Sequence, residues 1–115
     1  MNEAAEQGFG EAQAKLGFMY YKGWGITQDD SKAERWYRIS AEHGVGEGQL
    51  GLGMMYLVGR GVPQDNIQSY KWLSLAVSNN AEKADRFRAL AALSMTESEK
   101  EQGQSLAQEW RNFNQ

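Results

Sequence analysis

Leu16-Gly17-Phe18-Met19-Tyr20-Tyr21-Lys22-Gly23-Trp24-Gly25-Ile26-Thr27-Gln28-Asp29 is followed, 36 positions on, by Leu52-Gly53-Met54-Met55-Tyr56-Leu57-Val58-Gly59-Arg60-Gly61-Val62-Pro63-Gln64-Asp65. Leucine, methionine, tyrosine, three glycines, glutamine and aspartate return in register, and Trp36 returns as Trp72. Chance rarely aligns aromatics and glycines at one fixed interval, so the chain is an array of repeats about 36 residues long. A fragment of another copy precedes them, because Ala5-Glu6-x-Gly8-x-Gly10-Glu11 matches Ala41-Glu42-x-Gly44-x-Gly46-Glu47 at the same offset. The expected organisation is a single domain over residues 1–115. Residues 1–9 are the end of a broken repeat, 10–45 and 46–81 are two full repeats, and 82–115 are a divergent helical cap.

Within a repeat the pattern reads helix, tight loop, helix. Ala12, Leu16, Gly17 and Tyr20 share one stripe of a helix expected over residues 10–22, and Gly48, Leu52, Gly53 and Tyr56 repeat it. We term this helix A. Gly17 and Gly53 remove a side chain where a neighbouring helix approaches, so a large residue at position 17 is expected to loosen the stack. Gly23-Trp24-Gly25 and Gly59-Arg60-Gly61 end helix A, since glycine takes the left-handed backbone that a helix end requires. Asp29 and Asp65 are placed to cap the amides that open helix B, and Asp65-x-x-Gln68 has the spacing of a capping box. In helix B, Ala33, Trp36, Tyr37, Ser40 and Ala41 fall on a core-facing stripe, which leaves Glu34, Arg35, Arg38 and Glu42 to solvent. Removing Trp36 or Trp72 is expected to cost about 3–5 kcal/mol through the cavity left behind.

The last third stays helical without the repeat core. Residues 81–93 carry Ala84, Phe87 and Leu90 as an apolar face. Thr96-x-x-Glu99 is a capping box opening a polar helix that buries Leu106, Ala107 and Trp110. A solenoid needs a closing helix with a polar back to cover its last apolar side, and this segment has that pattern.

Composition narrows the function. At 115 residues the chain can bury a core without a disulfide or a metal. It has no cysteine, which removes thiolate metal sites and a cysteine nucleophile. A net charge of −3 argues against wrapping nucleic acid or anionic lipid, each of which calls for a concentrated cationic face. No apolar run approaches the roughly 20 residues of a membrane span. The amino terminus lacks the basic start and apolar run of a secretory signal, so the expected setting is soluble: cytoplasmic, or periplasmic or secreted if a leader has been removed.

The candidates for chemistry have plainer readings. His43, the only histidine, sits in the last turn of helix B beside carbonyls that favour a polar ring, and no second ligand stands four residues away. Gly23-x-Gly25 and Gly59-x-Gly61 follow helices, whereas a dinucleotide loop follows a strand. Asp29 and Asp30 at a helix start cap rather than catalyse. Glu97, Glu99 and Glu101 form the acidic first turn of a solvated helix. No catalytic residue, metal site or cofactor is expected.

The run Ala12-x-x-x-Leu16-Gly17-x-x-Tyr20-x-x-Gly23-x-Gly25-Ile26-x-x-Asp29-x-x-Lys32-Ala33-x-x-Trp36-Tyr37-x-x-Ser40-Ala41-x-x-Gly44 resembles the Sel-one-like repeat, a relative of the tetratricopeptide repeat. The second copy departs from it at Gly48, Gln68, Ser69, Leu73 and Asn80. The resemblance implies an all-α, right-handed solenoid of antiparallel helix pairs with helix A on the concave side. It also implies an adaptor or scaffold role of the kind seen in quality control, signalling and bacterial–host interaction. Some cysteine-rich relatives are described as similar to penicillin-binding or β-lactamase proteins, but this chain has neither the cysteines nor a Ser-x-x-Lys motif.

On the side of helix A away from Leu16 and Tyr20 lie Phe18 and Tyr21, matched in the second copy by Met54 and Leu57. Trp24 extends this strip, and Lys22 and Arg60 border it with positive charge. Aromatic, methionine and arginine side chains are enriched at the centres of protein interfaces. The strip is therefore the expected surface for a protein or peptide partner, and Tyr21→Ala and Leu57→Ala are expected to leave the fold nearly intact. Burial of Phe18 and Met54 against neighbouring repeats is the plainer alternative for single residues, and weak self-association through the strip is another.

Overall fold

The computed structural model describes the backbone of residues 3–114 and the side chains of residues 9–114. Among them stand six helices and no strand: α1 (Glu3–Lys22), α2 (Asp30–Glu42), α3 (Gly46–Val58), α4 (Asn66–Ser78), α5 (Ala84–Ala92) and α6 (Glu97–Phe113). α1 packs on α2, α2 on α3, α3 on α4, and both α5 and α6 on α4, while α1, α3 and α5 also touch in a row. The slab measures 39 × 33 × 20 Å. Its short dimension is two helix diameters, one layer of A helices and one of B helices.

The loop between helices A and B is built twice with the same bonds. The amides of Gly23 and Trp24 donate to the Met19 carbonyl at 2.7 and 3.0 Å, and those of Gly59 and Arg60 donate to Met55 at 2.8 and 3.1 Å. Asp29 N–H then donates to Tyr20 O and Asp65 N–H to Tyr56 O, each at 3.0 Å. This closure needs left-handed backbone at Gly23 and Gly59, both with φ of 75°, where a Cβ would be strained. The Asp29 and Asp65 carboxylates accept from the Lys32 and Gln68 amides at 3.1 and 3.0 Å, as the sequence implies. Among the described residues only Thr96 completes a reciprocal capping box, with Glu99. At Asp65 the box is half formed, with no returning bond from Gln68.

Glycines set the spacing between the layers. A Cβ on Gly17 would lie 3.0 Å from the Tyr37 ring and one on Gly53 2.7 Å from Leu73 Cγ, so helix A meets helix B closely in both repeats. Three further close approaches were not legible as such. Gly51 also faces the Cδ1–Cε1 edge of the Tyr37 ring, Gly48 faces Ser40 and Ala41, and Gly103 of α6 faces Tyr70. Tyr37 is thus wedged between α1 and α3. Ser40 and Ser69 tie the layers with buried bonds to Gly10 O and Gly53 O at 2.7 and 2.8 Å.

Several expectations need correction. α1 is already helical at Glu3 and runs through Gly8 and Gly10, whereas helix A was expected over residues 10–22. Glutamate, alanine and glutamine are strong helix formers, and an interior glycine costs only about 1 kcal/mol, too little to force a turn. The Ala5 and Glu6 side chains lie outside the described residues. Ala12 is exposed, whereas its counterpart Gly48 is buried. The two tryptophans have equivalent helix positions but different surroundings. Trp72 is 2% exposed, edge-on to Trp110 of α6 with ring centroids 6.1 Å apart, while Trp36 is half-buried because none of the described helices covers α2 as α6 covers α4. In α5 the buried face is Ala84 and Ala91 with Phe87 partly covered, and Leu90 is 52% exposed.

Candidate partner-binding groove

The row of A helices leaves a groove of about 700 Å³. α1 contributes Ala14, Phe18 and Tyr21, α3 contributes Leu50 and Met54, and Phe87 of α5 forms part of the lining. Tyr37 of α2 reaches it through the gap that Gly17 and Gly51 leave. Burial pushes the Tyr37 phenol well above its ordinary pKa, with nearby Tyr21 adding to the effect, so this ring is neutral at physiological pH. A cleft of this size lined by aromatic and aliphatic side chains is the usual form of a binding site.

Charge surrounds the apolar lining. Lys15, Lys22, Lys83, Glu11 and Glu47 line the groove, and among the described residues none of them joins an ion pair. Lys83 has φ of 72°, an uncommon backbone for a side chain with a Cβ, and stands at the start of α5. Lys22 lies 5.8 Å from the centre of the Phe18 ring, and Trp24 meets the same ring edge-on at 5.3 Å. Trp24 is 63% exposed, so the aromatic pair projects beyond the groove end.

Of the seven residues in the expected strip, Phe18, Tyr21, Lys22 and Met54 line the groove and Trp24 adjoins it through Phe18. Leu57 and Arg60 do not line it. Leu57 is half-buried and packs against Tyr70, Leu73, Ala91 and Met95, so its truncation to alanine is expected to cost stability, where the sequence reading expected the fold to stay nearly intact. Arg60 lies over the Tyr21 ring at 3.9 Å, donates to both Asp30 carboxylate oxygens and reaches Tyr21 O at 3.2 Å. Its charge is engaged with Asp30, whose carboxyl is held below the usual range chiefly by that hydrogen bond. The ion pair joins the loop of the second repeat to the first.

The sequence gives only partial notice of the remaining lining. Tyr37 reads as core from its stripe, and its reach into the groove depends on two glycines from different helices. Lys83 and Phe87 lie on a helix without the repeat motif, so its place in the row of A helices has no sequence register. His43 is exposed and bonds through Nδ1 to Ile39 O at 2.8 Å, a local contact at a helix end. Among the described residues no three histidine, cysteine or acidic side chains are grouped to hold a metal ion, and no helix is long and apolar enough to cross a membrane.

Comparison with known proteins agrees with this architecture. The chain superposes with a TM-score of 0.85 and 29% identity on a protective antigen of uropathogenic Escherichia coli, c5321, which displays an SLR fold. It superposes with a TM-score of 0.69 and 27% identity on a Sel1 repeat protein from Oxalobacter formigenes. Each comparison covers 96% of this chain, but the chain spans only 24% and 47% of those two proteins. No curated protein sequence matches it. The model of the Sel1 repeat matches residues 10–45 and 46–80, which are the two helix–loop–helix units built on the twin glycine loops. The chain is a member of the Sel1 repeat family.

Proposed function

We propose that this protein is an interaction module that holds a peptide or protein segment in the groove between α1, α3 and α5. The observation that carries the reading is the apolar lining from Phe18 and Tyr21 to Met54 and Phe87, with charges beside it that form no ion pair among the described residues. Family membership supports a helical-repeat interaction module in general; the groove and its partner are our reading. Residues 82–115 act in it as the closing cap. α6 covers Trp72 with Trp110 while exposing Ser98, Glu101, Gln102, Ser105 and Glu109, a polar back that ends the apolar stack. A hydrolase reading has less support, since the chain has neither cysteine nor Ser-x-x-Lys.

The test uses the wild-type chain and a Phe18→Ala/Lys22→Glu variant as paired baits in extract from the native cell. A partner that the wild type retains is identified and then titrated by calorimetry. Phe18 is exposed, so the variant is expected to fold normally while binding at least tenfold more weakly, as loss of one aromatic anchor gives. Equal affinity for both forms would place the binding surface elsewhere.

A further inference from the structure

The two repeats put different residues at one packing position, and the difference carries a hydroxyl to the groove. Tyr37 and Leu73 stand 36 residues apart. Each fills the space beside a glycine of helix A, Tyr37 against Gly17 and Leu73 against Gly53, and they are 6% and 0% exposed. Packing of the two layers therefore asks only for an apolar side chain, and the second repeat meets that need without a polar atom. The Tyr37 ring continues past Gly17 to Gly51, where its far carbon Cζ is level with α3, and the side chain reaches the groove lining. The phenols of Tyr56 and Tyr70 each accept a hydrogen bond, from Arg38 Nη2 at 2.7 Å and from Gln104 Nε2 at 3.5 Å. That of Tyr37, although more than nine-tenths buried, has no hydrogen-bond partner among the described residues. A buried hydroxyl without a partner costs stability that an apolar residue keeps. Burial holds this phenol protonated, so it has a proton to donate.

Charge on the groove wall is unevenly placed. Lys15, Phe18 and Lys22 follow one another along a single stripe of α1, at i, i+3 and i+7, so a lysine stands one turn to either side of Phe18. Both lysines are exposed and neither joins an ion pair among the described residues; Lys22 Nζ lies 5.8 Å from the centre of the Phe18 ring. The acidic lining residues are Glu11 and Glu47, which with Lys83 stand 36 residues apart and so lie level with one another in successive A helices. That level is about two turns from Phe18. Glu11 precedes Lys15 by one turn, yet the two form no ion pair. The stretch around Phe18 is thus bordered by two free cations and no lining acid, in a chain whose net charge is −3.

We infer that the groove takes an extended acidic peptide. Two carboxylates three residues apart reach Lys15 and Lys22, a large apolar side chain between them packs on Phe18, Met54 and Phe87, and a peptide carbonyl accepts from the Tyr37 hydroxyl. The spacing follows from the wall: seven helical residues separate the lysines by about 10 Å, which an extended chain covers in three residues. The extended form follows from the phenol. A helical ligand bonds its own carbonyls internally and would leave the Tyr37 hydroxyl unpaired, whereas an extended backbone presents free acceptors. This inference rests on the groove being the binding surface, as proposed above, and adds the chemistry of what fills it.

Three peptides capped at both ends are titrated into the ¹⁵N-labelled chain at low salt: Gly-Asp-Phe-Ser-Asp-Gly, the same peptide with asparagine for both aspartates, and the same with lysine for both. The acidic form is expected to give saturable shifts at Lys15, Phe18, Gly51 and Met54. The asparagine form is expected to bind about tenfold more weakly, as loss of two exposed charge pairs gives, and the lysine form more weakly still. Lys15→Glu/Lys22→Glu, at two exposed positions, is expected to fold normally and to reverse the order of the acidic and lysine forms. Tyr37→Phe keeps the ring beside both glycines, so it is expected to melt no lower than wild type while binding the acidic form about fivefold more weakly. Melting curves of both variants check their folding. Equal or tighter binding of the asparagine or lysine form at the same residues overturns the inference and leaves the groove reading standing. Absence of saturable shifts with all three at millimolar concentration also overturns it, as does unchanged affinity in Tyr37→Phe. The groove reading itself falls only if the paired-bait variant above keeps its partner.

Discussion

Gly51→Ala and Gly17→Ala put the same methyl group against one ring from two different helices, and the structure separates their effects. A Cβ on Gly51 would come within 2.5 Å of Tyr37 Cζ, deep inside contact distance, and the ring has little room to shift because Gly17 of α1 also abuts it. Overpacking of this kind costs typically 1–3 kcal/mol, and this depth of overlap belongs at the upper end, about 3. Replacing an interior helical glycine by alanine returns about 1 kcal/mol of propensity, leaving a net loss near 2. At Gly17 the new Cβ lies 3.0–3.2 Å from the ring, a displacement of a few tenths of an ångström, so a cost of about 1 kcal/mol is offset by the same propensity gain. For a domain of this size about 1 kcal/mol moves the melting temperature by about 4 °C, so Gly51→Ala is expected to melt about 8 °C lower and Gly17→Ala within about 2 °C of wild type. Thermal unfolding followed by circular dichroism and by urea titration measures both. Tyr37→Leu, which gives this position the residue that Leu73 holds in the second repeat, is expected to recover most of the Gly51→Ala loss when the two are combined, a coupling that a mutant cycle isolates. Equal melting temperatures for the two glycine variants, or no recovery in the double variant, would refute the wedge argument.

Trp72→Ala is expected to destabilise by about 3–5 kcal/mol and Trp36→Ala by about 1, since half-burial gives Trp36 less to lose; urea denaturation of both distinguishes them, and equal losses would contradict the one-sided cover by α6. Asp30 is held below its usual pKa by Arg60, so its contribution is present above the unfolded carboxylate value and is lost as pH falls through the folded one. With both side chains about a third exposed the pair contributes under about 1 kcal/mol. Wild type is therefore expected to lose slightly more stability than Arg60→Met between about pH 5 and pH 2, as measured by urea midpoints, and parallel curves would mean that the pair adds nothing. Leu57→Ala is expected to lower the unfolding free energy measured by urea titration by about 2 kcal/mol through the cavity left against α5, and a neutral effect would return Leu57 to the surface strip.

The sequence determined the unit and its punctuation: the 36-residue interval, the twin glycine loops, the aspartate caps, the Thr96 capping box and the helix pairs. All of these depend on contacts within a few residues along the chain, where backbone geometry ties residue type to conformation. Phe18 and Met54 could be placed side by side from the sequence, because equivalent positions of parallel helices fall in line whenever repeats stack. Tertiary structure decided the rest. Arg60 is an inter-repeat tie because Asp30, 30 residues away, meets it. Leu57 is half-buried because Ala91 of α5 and Met95 pack near it, and Trp72 is buried where Trp36 is not because α6 covers α4 and not α2. A side chain's exposure depends on what arrives from elsewhere in the chain, and two identical helical patterns diverge in burial when only one of them receives a neighbour.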